Sequence, residues 1–166
     1  MWLIVPRLYL GDYRSGHAAL AGAELPAHPS EEPSPFTGVV SLCPVPLFPG
    51  EPVVDPASKA TEWLELPIHD GGFGDEEFVG ALDAALPFIR RQMLRGNVLV
   101  HCAAGMSRSV SVIAAVLCET GLGVEEAFQR IAQRKTEALK AQDLDTEWVI
   151  APAWEFQAVL RRRFKR

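Results

Sequence analysis

Between Val98 and Ser111 the chain reads VLVHCAAGMSRSVS: an apolar run, a loop of small residues, then the start of a segment that is apolar nearly all round. That order predicts a buried strand, a tight connection and a buried helix, and it sets the centre of any fold the chain can adopt. Cys102 opens the connection and Arg108 closes it, with five residues between them. A thiol and a guanidinium at a strand-to-helix handover can attack phosphorus while holding the phosphoryl oxygens.

The remaining patterns fit around this centre. MWLIVPRLYL, interrupted by Pro6 and Arg7, reads as a first strand or strand pair, and it lacks the basic leader of a signal peptide. Two Pro-rich stretches, Ala21 to Pro35 and Pro44 to Pro56, read as surface loops because proline removes amide donors. Between them TGVVSLC (Thr37 to Cys43) is a short strand candidate, and EWLELPI (Glu62 to Ile68) is another. Helical spacing runs from Asp75, placed as N-cap, to Arg95, with Pro87 predicting a kink or a break. Ser109 to Thr120 reads as a central helix, Val124 to Lys135 as an amphipathic one, and Pro152 to about Arg163 as a last helix burying Trp154, Phe156, Val159 and Leu160. Strands alternating with helices predict an α/β fold: a central, mostly parallel sheet flanked by helices.

At 166 residues the chain suits a single domain with one core. Its net charge of −5 argues against nucleic acid as a partner. Cys43, Cys102 and Cys118 are too few and too irregular for a disulfide framework or a zinc site, and a free nucleophilic thiol suits a reducing cytoplasm. No segment reaches the roughly 20 apolar residues of a membrane span. A monomer is expected.

Phosphoryl transfer needs a held dianion, an in-line nucleophile and a proton for the leaving oxygen. Ala103, Ala104 and Gly105 are small enough for backbone N–H groups to converge on phosphate oxygens, with Met106 and Ser107 completing the loop. The helix beginning near Ser107 or Arg108 directs its positive end to the same place, and Arg108 can add a bidentate fork. These positive fields should lower the pKa of Cys102, and Ser109 could donate to its sulfur. Asp70, in PIHDGG, directly follows a strand-like run, while Asp75, Glu76 and Glu77 are nearby acids that could serve as well. His17, His28 and His69 read as surface or satisfied residues, and Cys118 as core.

HCAAGMSRS resembles the HC-x5-R-S/T signature of the cysteine-dependent protein tyrosine phosphatases, and LYLGD at Leu8 to Asp12 is similar to the dual-specificity branch. VVSLC resembles the family's second core strand, Ile68 to Phe78 its general-acid loop, and VIAPAWEFQAVL its last helix. The resemblance implies that Cys102 forms a phosphocysteine, Arg108 binds phosphate, and Asp70 protonates the leaving group and later activates water. It further implies that His101 orients the loop, that Ser109 assists breakdown of the intermediate, and that no metal or other cofactor is needed. The implied substrate is a phosphorylated protein or peptide bearing phosphotyrosine and also phosphoserine or phosphothreonine, because the loop lacks the lysines of phosphoinositide phosphatases. A phosphoinositide or small-molecule phosphomonoesterase, a rhodanese-like sulfurtransferase and a non-catalytic phosphate-binding module are the alternatives. By the same likeness Cys43 is a candidate for a reversible disulfide with Cys102. Pro152-Ala153 departs from the family's usual Pro-Asn, which puts one loop-anchoring hydrogen bond in question. The closing RRRFKR reads as a solvated helix end.

Overall fold

A computed structural model describes residues 1–45, 60–147 and 149–165, so most of the second Pro-rich stretch lies outside the described residues. Strands β1 (Trp2–Val5) and β2 (Leu8–Gly11) form an antiparallel hairpin. β2 then pairs in parallel with β6 (Asn97–His101), and β6 in parallel with β4 (Pro33–Ser41). β4 also pairs in parallel with β5 (Glu62–Glu65) and antiparallel with β3 (Glu24–Pro26). The six-stranded sheet is therefore mixed: β2, β6, β4 and β5 are mutually parallel, and β1 and β3 join antiparallel. The reason is connection length: Pro6 and Arg7 can link only antiparallel neighbours, whereas parallel strands need a long crossover.

The first Pro-rich stretch corrects the expectation of a plain loop. Glu24 stands opposite Pro35 and Pro26 opposite Pro33, so part of the stretch forms β3 and the start of β4. β3 is the last strand in the sheet order, where missing amide donors are tolerated.

Five helices complete the described fold: α1 (Tyr13–Leu20), α2 (Glu76–Met93), α3 (Arg108–Glu119), α4 (Val124–Ala141) and α5 (Trp154–Arg163). Asp12 caps α1 through a reciprocal pair of hydrogen bonds with Ser15. α2 runs unbroken through Pro87, which lies on its exposed side, so the carbonyl it leaves unpaired faces water. Asp75 occupies the N-cap position of α2 but makes no side-chain cap bond, because its carboxylate pairs with Arg162 of α5. α4 continues past Lys135 to Ala141. In α5, Phe156, Val159 and Leu160 are buried as expected, whereas Trp154 is 73% exposed.

The pleat distributes these layers. Leu8, Leu10, Val40, Leu42, Val98 and Val100 join α2, α3, α4 and α5 in the larger core, while Tyr9, Val39 and Leu99 point to the opposite face with Ala19 and Leu20 of α1. Alternate residues thus go to opposite faces, and both faces of the central strands are covered. Register sets Gly11 and Ser41 on either side of His101, and Glu65 beside Ser41. The segments leaving β2, β4, β5 and β6 consequently emerge at one edge, the carboxyl ends of the parallel strands.

α1 approaches this edge more closely than any side chain would allow. A Cβ on Gly16 would lie 2.3 Å from Nε2 of the fully buried His101. Gly16→Ala should therefore destabilise the protein by about 1–3 kcal/mol despite alanine's better helix propensity. Gly80→Ala in α2, where an added Cβ meets nothing within 4 Å, should stabilise it by about 0.5–1 kcal/mol. Denaturant midpoints of the two variants check both signs.

Candidate active site

From Cys102 to Ser107 the loop is held by its carbonyls. Nδ1 of His101 lies 3.3 Å from the Cys102 carbonyl, and the Tyr13 amide donates to the Ala103 carbonyl at 3.2 Å. Nζ of Lys135 donates to the Gly105 carbonyl at 2.8 Å, and the Ala151 amide to the Met106 carbonyl at 2.8 Å. A trans peptide points its N–H opposite to its C=O, so each anchored carbonyl turns the next amide away from its anchor. The amides of Ala103, Ala104, Met106 and Ser107 are aimed in this way, and none donates to a carbonyl among the described residues. Gly105 permits the bend: its φ is +67°, and a Cβ there would meet the Trp2 ring at 2.9 Å and the Gly11 carbonyl oxygen at 3.0 Å.

Cys102 is 3% exposed, at the end of β6 and facing this array. Burial raises its thiol pKa, but the hydroxyl and amide of Ser109, the Gly105 amide and the Arg108 charge outweigh burial and bring it below the ordinary thiol value. The Ser109 hydroxyl lies 3.1 Å from Sγ. Arg108, on the first turn of α3, donates through Nη1 to the carbonyls of Leu42 (3.3 Å) and Ile68 (3.0 Å). Its Nε is buried and has no partner among the described residues. That donor, on a guanidinium fixed by two other segments of the sheet edge, fits an incoming oxyanion.

His101 holds its place through a buried chain. Trp63 Nε1 donates to Ser41 Oγ at 2.8 Å, and Ser41 Oγ lies 2.6 Å from His101 Nε2. A carbonyl can only accept, so Nδ1 carries the proton towards Cys102 and Nε2 accepts from Ser41. Burial lowers the His101 pKa, with partial opposition from the hydrogen bond to the Cys102 carbonyl, which keeps the ring in that neutral tautomer.

Asp70 is exposed, two residues beyond the Ile68 carbonyl that receives Arg108. Gly71 and Gly72 follow it with φ of +92° and +80°, turning the chain back towards α5. Glu155 Oε1 accepts the Gly72 amide at 3.0 Å. Of the rival acids, Asp75 pairs with Arg162, and Glu77 accepts from both the amide and the ring of His69. His69 also stacks on Phe73, and His28 contacts Ser30, both at the surface.

Several residues at this site carried no expectation from sequence. Ser41, Trp63 and Tyr13 act through hydrogen bonds that only the register brings together. Lys135 is 4% exposed beneath the loop, and a readable signal existed: Ile131, Lys135 and Leu139 repeat at helical spacing along the buried side of α4. At Pro152-Ala153, where the chain departs from the family's Pro-Asn, the Ala153 amide donates to Ser107 Oγ at 3.0 Å. Cys43 is a free, buried thiol whose pKa is raised, chiefly by burial, and Cys118 is buried in α3. Arg161, Arg162 and Arg163 pair with Glu125, Asp75 and Asp83, so the basic end is a set of surface ion pairs. Among the described residues no helix is long and apolar enough to cross a membrane.

Comparison with known proteins agrees with this geometry. The chain is 33% identical over 135 residues to dual specificity protein phosphatase 12 of Rattus norvegicus, an alignment covering 80% of the chain and 35% of the rat protein. It is 31% identical over 80 residues to the PRL-1 phosphatase of Drosophila melanogaster, covering 48% of the chain and 46% of the fly protein. The chain thus spans less than half the length of these curated relatives. The crystal structure of human DUSP28 superposes with a TM-score of 0.64 over 99% of this chain and 96% of that one, at 22% identity, which is a likeness of fold. The family model "Dual specificity phosphatase, catalytic domain" matches residues 47–145, well over half of the chain and including the whole loop from Cys102 to Ser109. The chain belongs to the dual specificity phosphatase catalytic-domain family.

Proposed function

We propose that residues 1–166 form one phosphatase domain that hydrolyses phosphate monoesters on proteins, phosphotyrosine and also phosphoserine or phosphothreonine, in the cytoplasm and as a monomer. The observation that carries the reading is the coincidence of a thiol with a lowered pKa, a row of outward-held carbonyls and an Arg108 Nε donor without a protein partner. The amides of the loop and the Arg108 fork bind the dianion. The Cys102 thiolate attacks phosphorus, the P–O ester bond breaks, and Asp70 gives its proton to the departing oxygen, leaving a phosphocysteine. Water, deprotonated by Asp70, then attacks the phosphorus and releases phosphate, while the Ser109 hydroxyl stabilises the returning thiolate. The roles of Ala103, Ala104, Gly105, Met106 and Ser107 are those of amide donors. The loop's uncharged side chains favour a lightly charged monoester over a polyphosphorylated inositol.

Cys102→Ser should retain less than about 1% of turnover on an aryl phosphate while unfolding at an unchanged midpoint. Asp70→Asn should slow hydrolysis of a phosphopeptide by about 10²–10⁴-fold, and p-nitrophenyl phosphate far less, because that leaving oxygen barely needs a proton. Equal loss on both substrates would move the acid to another residue. A lowered thiol pKa means that the thiolate is already present below the range of free cysteine. The pH midpoint for iodoacetate alkylation of Cys102 should therefore fall clearly below about 8.5, and a midpoint at or above that value would remove the electrostatic basis of the reading.

A further inference from the structure

Lys135 is the one charged residue on the buried side of α4. Its ammonium donates to the Gly105 carbonyl at 2.8 Å and to the Val149 carbonyl at 2.7 Å, and it sits 4.4 Å from the centre of the Trp2 ring. A lysine has three donor hydrogens, so two carbonyls and an aromatic face account for its directions of contact. Burying a cation is costly unless such partners are present, and an apolar residue would be the cheaper occupant of this position. What distinguishes the site is that one of the two carbonyls belongs to the phosphate-binding loop, at the residue whose positive φ makes the bend.

We propose that Lys135 is a positioning residue for the phosphate-binding loop: it fixes the Gly105–Met106 peptide so that the Met106 amide faces the cradle, and it places a second fixed positive charge behind Cys102. The inference rests on the phosphatase reading of this loop and adds to it a residue outside the Cys102–Ser109 signature. Two features of the structure support it. The Trp2 ring lies against both the ammonium and the Gly105 backbone, so the carbonyl, the ring and the cation form one packed unit. Burial lowers the Lys135 pKa, but Cys102 and Asp12 act against that shift, which marks both anions as near enough to be felt. The groups facing Lys135 are Cys102 from the loop, Asp12 from the turn before α1 and the Met1 amine from the start of β1. The other charges nearby on α4 and α5 are engaged elsewhere, Arg134 with Glu137 and Arg161 with Glu125.

A tether of this kind acts through the amide it aims and the field it adds, so its loss should be read on the sulfur and on oxyanion binding before it is read on stability. The test is Lys135→Met, which keeps the length of the side chain and removes both donor and charge, beside Lys135→Arg, which keeps both. Iodoacetate alkylation of Cys102 is followed against pH, with and without inorganic phosphate as protecting anion, and kcat/KM is measured on p-nitrophenyl phosphate. In Lys135→Met the alkylation midpoint should rise by about one unit, equivalent to a tenfold smaller thiolate fraction at a given pH below it. Protection by phosphate and kcat/KM should each weaken about tenfold, and Lys135→Arg should recover most of each loss. A folded Lys135→Met with unchanged midpoint and unchanged phosphate protection overturns the proposal, leaving Lys135 a packing residue. Should Lys135→Met not fold, Lys135→Gln retains an N–H donor without the charge, and the same midpoint decides: raised supports, unchanged overturns. An unaltered protein that turns over no phosphate ester would defeat the phosphatase reading, yet the midpoint and the phosphate protection would still decide the role of Lys135.

Discussion

The structure depends on backbone carbonyls in one short loop being pulled outward. Left alone, the segment from Cys102 to Ser107 would pair its own polar groups or give them to water. Instead His101, Tyr13, Lys135 and Ala151, from four separate parts of the chain, each take one carbonyl. Their combined effect is to leave the amides of Ala103, Ala104, Met106 and Ser107 without a carbonyl partner among the described residues. A surface of amides made in this way needs no charged side chain inside it, and the Arg108 guanidinium beside it is itself held by the carbonyls of Leu42 and Ile68.

The sheet is what lets those anchors meet. Parallel pairing of β2, β6, β4 and β5 brings Gly11, His101, Ser41 and Glu65 level, so the four following segments start side by side. Of the antiparallel strands, β1 reaches the site through the Trp2 ring, which lies against Gly105 and Lys135. The close packing of Gly16 against His101 then brings the start of α1, and with it the Tyr13 amide, to the loop.

The sequence made the centre of this arrangement legible because strand, loop and helix follow one another without interruption from Val98 to Glu119. Cys102, Arg108, Ser109 and His101 lie in that run, and their neighbours along the chain are also their neighbours in space. Legibility fell where contacts are long-range. The Trp63–Ser41–His101 chain joins three strands and has no local signature. Helix α1 has no clear signature in the sequence because Gly16 breaks its propensity, and the glycine is there for a partner 85 positions further on. Trp154 misled in the other direction: its size suggested core, but α5 turns that position outwards and buries Phe156 and Leu160 instead. Pro33 and Pro35 hid the start of β4, since proline argues against strand everywhere except at an edge.

The first turn of α5 touches both halves of the site at once. Ala153 donates to Ser107, and Glu155 two residues later receives the Gly72 amide. The segment that bears Asp70 and the segment that bears Arg108 are therefore hung from a single short hook. Fraying of that one turn would disturb the mutual alignment of the proposed proton donor and anion holder together with Phe156, the core residue that the same turn carries against Phe78.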